Sequence, residues 1–283
     1  MKSTRKDGKR RRPAFDLREK QMPISRPVKK IEVKKRPESN PTETEDFRLN
    51  KFVAHCGIAA RRKAAEMIKN GLVLVNGKTE DNPAYIVKPS DKVFYQGKQI
   101  KPVESKVYIL MNKPKDAITT LDDERDRRTV MDIIGESVKA RIYPVGRLDR
   151  DTTGLLLLTN DGDLAQKMAH PSYKAKKVYH AELNLPVVDA DLDHIQRGVE
   201  LEDGKASVNW IRHVQGTGKR EVELEIVIGK NRVVRRIFEH LGYEVTKLDR
   251  IYYAGLTKKD LPRGRFRHLT QREVIMLKHF TGK

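Results

Sequence analysis

The chain has 283 residues and carries 59 Lys+Arg against 39 Asp+Glu, a formal net charge of +20. That length suggests two folded units at roughly 100–200 residues each, no apolar run reaches the ~18 residues of a transmembrane helix, and the single cysteine, Cys56, excludes an intramolecular disulfide framework or a zinc site of clustered cysteines. The basic excess points to a polyanionic partner without separating an RNA enzyme from a ribosomal protein or a DNA-binding protein.

Residues 1–46 hold 15 Lys/Arg against 8 Asp/Glu, a net +7, and Phe15 is their only aromatic. Pro13, Pro23, Pro27, Pro37 and Pro41 interrupt any helical period, so the segment reads as a disordered basic arm closing on the acidic stretch PTETED. The opening MKSTRKDGKRRR leads into no apolar core, which argues against a secretory signal and for a cytoplasmic protein. Two roles stay open for the arm, a solubilising tail or an RNA-touching extension, since attraction to phosphate needs no folded structure.

In residues 47–105, Leu49, Phe52, Val53 and Cys56 fall at helical spacing until Gly57 breaks it. A second helix, AARRKAAEMIKNG, presents Ala60, Ala64, Met67 and Ile68 on one face and stops at Asn70-Gly71. LVLVNGK is a short strand running into the hairpin signal Asn76-Gly77. YIV and KVFYQGKQI add two strands around a turn at Pro89-Ser90-Asp91. Arg48, Lys51, Arg61, Arg62, Lys63 and Lys69 lie around the two helices, either as a solvated face or as a basic face suited to a phosphate backbone. The stretch RLNKFVAHCGIAARRKAAEMIKNGLVLVNGK resembles the S4 RNA-binding domain. The resemblance implies recognition of structured RNA mostly through shape and backbone.

Residues 106–283 open with VYILMNKP, a buried strand ended by Pro114, and continue with RIYPVGRLD and GLLLLTND, two strands flanking a loop. DLAQKMAHP is a short helix, KKVYHAELN a strand, LDHIQRGVE a helix, ASVNWIRHV and REVELEIVIG strands, NRVVRRIFEHLG a helix, EVTKLDRIYYAGL a strand and REVIMLKHF a terminal helix. Strands and helices do not alternate regularly, so an α+β domain on a mixed, mainly antiparallel sheet is expected rather than a doubly wound parallel one. GxxxxGK[ST], GxGxxG and HExxH are all missing from the sequence.

The loop within VGRLDRDTTGLLLLTNDG carries the chemistry. Asp149 stands near a strand end beside Arg147, with Gly146 and Gly154 available for tight turning. Residue chemistry alone leaves three roles for Asp149: a tuned nucleophile or base, a turn residue, or a structural ion-pair partner. G-R-L-D-x-x-T-x-G-L-L-L-x-T-x-D-G, however, resembles the catalytic motif of the pseudouridine synthases, in the family of the ribosomal small-subunit synthase A and the large-subunit synthase B. MNKP at Met111–Pro114, KKVYHAEL at Lys176–Leu183 and GKNRVVRRIFEHLGYEVTKLDRIYYAGL follow in that family's order, so with the S4-like module the resemblance spans about 47–280.

The resemblance implies a specific division of roles. Asp149 would be the catalytic aspartate, acting on C1′ or the base as a nucleophile or through a glycal. Arg235 would pair with it, and Tyr179 would stack on the target base and assist loss of the C5 proton. Arg147 would handle the flipped-out nucleotide, and Arg232 and Arg236 would form an RNA-binding helix face. The reaction is an isomerisation, so no cofactor and no metal is expected. The expected substrate is a specific uridine of large-subunit ribosomal RNA. A small-subunit target and a non-catalytic ribosome-assembly factor are the alternatives. The expected partner is ribosomal RNA or a pre-ribosomal particle, engaged by a monomer without a membrane. Val233 departs from the glutamine the family often carries between those arginines.

Other residues get structural readings. His170-Pro171 fixes a loop, Asp161 and Asp163 act as turn and helix-cap residues, and Trp210 and Cys56 pack. His180, His194, His213 and His240 show no metal-ligand spacing.

Overall fold

Leu49 and Val53 lie one helical turn apart and are both fully buried, which is the i, i+4 relation of a single apolar stripe. They anchor the first part of a computed structural model that describes residues 47–279 except Glu104 and Asp122. The basic arm expected over 1–46 lies outside the described residues. Strand β1 (Phe47–Arg48) leads into helix α1 (Leu49–His55) and then helix α2 (Arg61–Lys69), which buries Ala64, Met67 and Ile68. β2 (Val73–Val75) and β3 (Lys78–Thr79) form the hairpin expected at Asn76-Gly77, and β4 (Ile86–Val87) pairs back on β1. The expected continuous strand KVFYQGKQI is instead a second hairpin, β5 (Val93–Tyr95) and β6 (Lys98–Gln99). Gln96 and Gly97 take φ of +49° and +75°, the paired left-handed residues of a tight two-residue turn, with Gln in the place more often held by Asn. This small sheet runs β3-β2-β5-β6 and shares one apolar cluster with the two helices.

The remaining elements are β7 (Tyr108–Lys113), α3 (Val130–Ile134), β8 (Tyr143–Pro144), β9 (Thr152–Thr159), α4 (Gly162–Ala169), β10 (Lys177–Leu183) and α5 (Asp189–Arg197). After these come β11 (Val199–Leu201), β12 (Gly204–Ala206), β13 (Trp210–His213), β14 (Glu221–Ile226) and α6 (Val233–His240). The last are β15 (Val245–Tyr253), β16 (Leu256–Thr257), β17 (Phe266–His268) and α7 (Gln271–Lys278). Helix α3 buries Val130 and Ile134 one turn apart, and a reciprocal cap between Thr129 and Asp132 defines its start. The expected strand RIYPVGRLD shrinks to Tyr143–Pro144, because the rest turns away as the loop that carries Asp149.

The main sheet runs β13-β14-β10-β15-β9-β7-β17. Its neighbours are antiparallel except β9 and β15, which pair in parallel over Leu248↔Thr152, Asp249↔Thr153 and Arg250↔Gly154. The expected α+β class on a mixed, mainly antiparallel sheet is therefore found. Leu155, Leu156, Leu157 and Leu158 of β9 are all fully buried. Alternation sends Leu156 and Leu158 to one apolar cluster and Leu155 and Leu157 to another. β9 is thus covered on both faces, which explains a continuous run of leucines in place of an alternating pattern.

Candidate active site

The loop joining β8 to β9 is held from behind by three polar anchors. The Thr119 hydroxyl donates to the Leu148 carbonyl at 2.8 Å, and the Asp116 amide donates to the Arg150 carbonyl at 2.9 Å. Lys113, fully buried at the end of β7, donates from Nζ to the carbonyls of Pro114, Arg150 and Thr152 at 3.1, 3.2 and 2.8 Å. Burial pulls the Lys113 ammonium down to about 8, against the opposing pull of the Asp151, Asp149 and Asp116 carboxylates. A lysine at the end of a buried strand is the signal within MNKP; its three carbonyl partners come from loop folding.

Gly154 explains why β9 can start where it does. A Cβ at this position would lie 2.3 Å from the Arg250 carbonyl oxygen and 2.5 Å from Asp249 Oδ1. The glycine serves the close approach of β15 rather than a turn, which falls to Gly146 at φ +75°. Asp249 is itself fixed: burial raises its carboxyl, but hydrogen bonds from Arg263 and Lys258 outweigh burial and hold it at about 2.

Asp149 emerges on the open side of the loop with its side chain 32% exposed. A cavity of about 70 Å³ borders it, lined by Arg147, Leu148, Thr152, Tyr179, Lys230, Arg232 and Leu248 among others. Tyr179 arrives from β10, where it lies opposite Arg250 of β15, the residue in turn opposite Gly154. Three strands thus bring the tyrosine level with the start of β9. Tyr179 is buried, and Arg147 is exposed. The Thr152 hydroxyl on the same cavity is buried without a hydrogen-bond partner among the described residues.

The arginines at the start of α6 are placed differently from expectation. Arg232, at φ +47°, brings Nη1 to 3.9 Å from Asp149 and Nη2 to 3.7 Å from Glu239. Arg235, expected to pair with Asp149, is buried; its Nη2 lies 2.8 Å from Asp151, and its Nη1 donates to the Val245 carbonyl at 2.7 Å. The contact with Asp151 is ionic, since Nη2 and Nε of Arg235 make no hydrogen bond among the described residues. Of the two arginines expected on an RNA-binding helix face, Arg232 is exposed and Arg236 half-buried. Arg236 is engaged bidentately by Asp203 at 2.6 and 3.0 Å, and Lys230 donates to the Asp203 and Gly204 carbonyls. Arg235 is carried inward by packing: Val233, Val234, Arg235, Ile237 and Phe238 are all buried, so the helix inserts an arginine together with its apolar side. Lys230 lines the cavity and Asp151 pairs with Arg235, two placements that the motif reading missed.

Among the S4-like cations, Arg48, Arg61, Arg62, Lys63 and Lys69 are exposed, with Lys63 beside Glu66 at 3.3 Å. Lys51 bonds Asp163 at the start of α4 at 3.1 Å and lies over the Phe47 ring. Asp163 therefore pairs with α1 rather than capping, whereas Asp161 does cap α4 through the Leu164 amide. His170 bonds Ser172 as a loop-fixing residue would. Burial pushes the half-buried Cys56 thiol up to about 12. Among the described residues, no group of three His, Cys, Asp or Glu side chains is placed to hold a metal ion. Among the same residues, no helix is long and apolar enough to cross a membrane.

Comparison with known proteins bears directly on this geometry. The family model described as RNA pseudouridylate synthase matches residues 107–240, and that of the S4 domain matches 47–93. The chain is 42% identical over 234 residues to ribosomal large subunit pseudouridine synthase B of Bacillus subtilis (strain 168), covering 82% of this chain and 95% of that protein. It is 36% identical to the dual-specificity RNA pseudouridine synthase RluF of Escherichia coli O6:H1 (strain CFT073), covering 81% of this chain and 78% of that one. A solved crystal structure of a pseudouridylate synthase, 27% identical, superimposes with a TM-score of 0.59 and covers 82% of this chain and 99% of its own.

Proposed function

The chain belongs to the RNA pseudouridylate synthase family, and on that premise we propose that it converts a specific uridine of large-subunit ribosomal RNA to pseudouridine. The carrying observation is the 42% identity to a large-subunit synthase over 95% of that protein's length. Residues 47–105 then bind RNA and residues 106–283 carry out the reaction. The partner is ribosomal RNA or a pre-ribosomal particle, met in the cytoplasm by a monomer.

In this reading the target nucleotide leaves its helix, because the N1–C1′ bond of a stacked, paired uridine is out of reach. Arg147, exposed at the rim, meets its phosphate or fills the gap it leaves. The base enters against Tyr179 and faces Asp149. The Asp149 carboxylate assists cleavage of N1–C1′, by attack on C1′ or on the base or by removing a sugar proton to give a glycal. The freed base turns, C5 bonds to C1′, the C5 proton is lost with help from Tyr179, and N1 gains a proton. Atoms and electrons balance within the nucleotide, so the step consumes no cofactor. Arg232 supplies the cation that faces Asp149, and Arg235 acts one step removed, through Asp151.

Carbodiimide mapping of both ribosomal RNAs, from cells with and without the gene, tests this reading. Loss of one pseudouridine, or very few, in large-subunit RNA is expected. Loss only in small-subunit RNA overturns the choice of subunit, and no loss overturns the catalytic reading in favour of an assembly factor. Asp149→Asn is expected to abolish the modification while RNA binding persists; near-normal turnover by that variant would remove Asp149 from its role.

A further inference from the structure

A second and larger cavity, about 760 Å³, lies where α1 and α2 of the S4 domain meet β8 of the main sheet and helix α4. Its walls are tied together by the Lys51–Asp163 ion pair and by the Val103 amide bonding the His55 carbonyl at 3.0 Å. Three lining arginines, Arg61, Arg141 and Arg147, are exposed. The one lining carboxylate, Asp163, already faces Lys51. Between these cations the surface is apolar or aromatic: Leu121 and Val103, each 38% exposed, stand with Pro144 and Tyr143. Arg147 lines both this cavity and the one at Asp149, so a single cation borders the two.

A convex or flat basic face suits the backbone of a duplex. A concave space of this size falls within the ~300–1,000 Å³ of small-ligand sites. Exposed apolar and aromatic walls offer an unstacked base what it loses on leaving a helix, and neighbouring arginines meet the attached phosphates. We infer that this cavity receives a second unpaired nucleotide of the RNA substrate, distinct from the target uridine. Its base lies against Leu121 and Tyr143, its phosphates meet Arg61 and Arg141, and the strand passes Arg147 into the Asp149 cavity. The inference rests on RNA being the substrate. It gives the S4 domain a task beyond adhesion, since part of a specificity pocket exists only where α1 and α2 close over β8.

The test uses the full-length protein and synthetic RNA spanning the mapped pseudouridine, with each unpaired nucleotide replaced in turn by an abasic one. Binding is measured by filter retention for the wild type and for a Leu121→Ala, Arg141→Ala double variant; both residues are exposed, and circular dichroism checks the fold. One abasic position other than the target is expected to weaken wild-type binding about tenfold, the scale of one lost base stack. The variant, already weakened to a similar degree, is expected to show no further loss at that position. Additive losses at every position overturn the inference. So does a variant that binds every RNA as the wild type does. Because the readout is binding, these outcomes stand apart from a wild type that binds this RNA but forms no pseudouridine, which would overturn the proposed activity instead.

Discussion

Arg235 holds Nη2 2.8 Å from the carboxylate of Asp151, two residues past Asp149, while its Nη1 bonds the Val245 carbonyl at the start of β15. A buried guanidinium therefore ties the loop of Asp149 to the strand that pairs with β9. The cation facing Asp149 itself is Arg232, at 3.9 Å and 43% exposed. Two arginines three residues apart thus serve two carboxylates two residues apart, one pair anchoring and the other facing the cavity.

The two arginines should fail differently. Arg235→Ala leaves a buried carbonyl without its donor and Asp151 without its cation, and is expected to lower stability by about 2–4 kcal/mol. Arg232→Ala removes an exposed, loose pair, so stability should change by less than about 1 kcal/mol while modification slows about tenfold. Urea unfolding and single-turnover assays on both variants check this, and equal stability losses would contradict the assigned division.

Lys113 makes the loop sensitive to alkaline pH. Its folded pKa of about 8 lies below the ordinary 10.5, so between these values the unfolded chain binds more protons and this group's contribution to stability rises with pH. Deprotonation also removes the charge and one of the N–H groups now shared among three carbonyls. Activity is expected to fall through pH 8 without loss of global stability from this group, and Lys113→Met should lower the plateau and remove that fall. A flat wild-type profile from pH 7 through 9 would contradict it.

Gly154→Ala places a methyl within 2.3 Å of the Arg250 carbonyl oxygen, a backbone atom that cannot rotate away. A loss of about 3 kcal/mol is expected from the forced separation of β9 and β15. Activity should drop with it, because β9 carries the Asp149 loop. Chemical denaturation decides; a change under about 1 kcal/mol would show that the strands adjust freely.

Deleting residues 1–46 removes a net charge of +7. Binding to a ribosomal RNA fragment should weaken mainly at low salt, with a shallower dependence of log affinity on log salt. The modified position should stay the same, and its displacement in sequencing-based mapping would instead make the arm a determinant of specificity.

Much of the fold was legible because its signals are local. The i, i+4 stripe of Leu49 and Val53, the Asn76-Gly77 turn and the leucine run of β9 depend on neighbours in the chain. KVFYQGKQI misled because Gln96 is an uncommon left-handed residue, so its hairpin carries only half the usual signature. The expected pairing of Arg235 with Asp149 failed for another reason. A motif names residue types at a spacing, but which arginine reaches which carboxylate depends on how deeply α6 sinks into the sheet.

By itself the sequence determined the S4-like and synthase motifs, the class of sheet and the identity of Asp149, Tyr179 and Arg147 as residues worth testing. Each of these follows from short-range pattern or a motif carried in order along the chain. Only the tertiary structure decided that Arg232 rather than Arg235 faces Asp149, that Lys113 bonds three carbonyls around the loop, and that Gly154 is required by the approach of β15. The same holds for the arginine-lined cavity between α1, α2 and β8. These are contacts between segments distant in sequence, fixed by strand order and burial, and such distances exist only once the sheet has closed around its core.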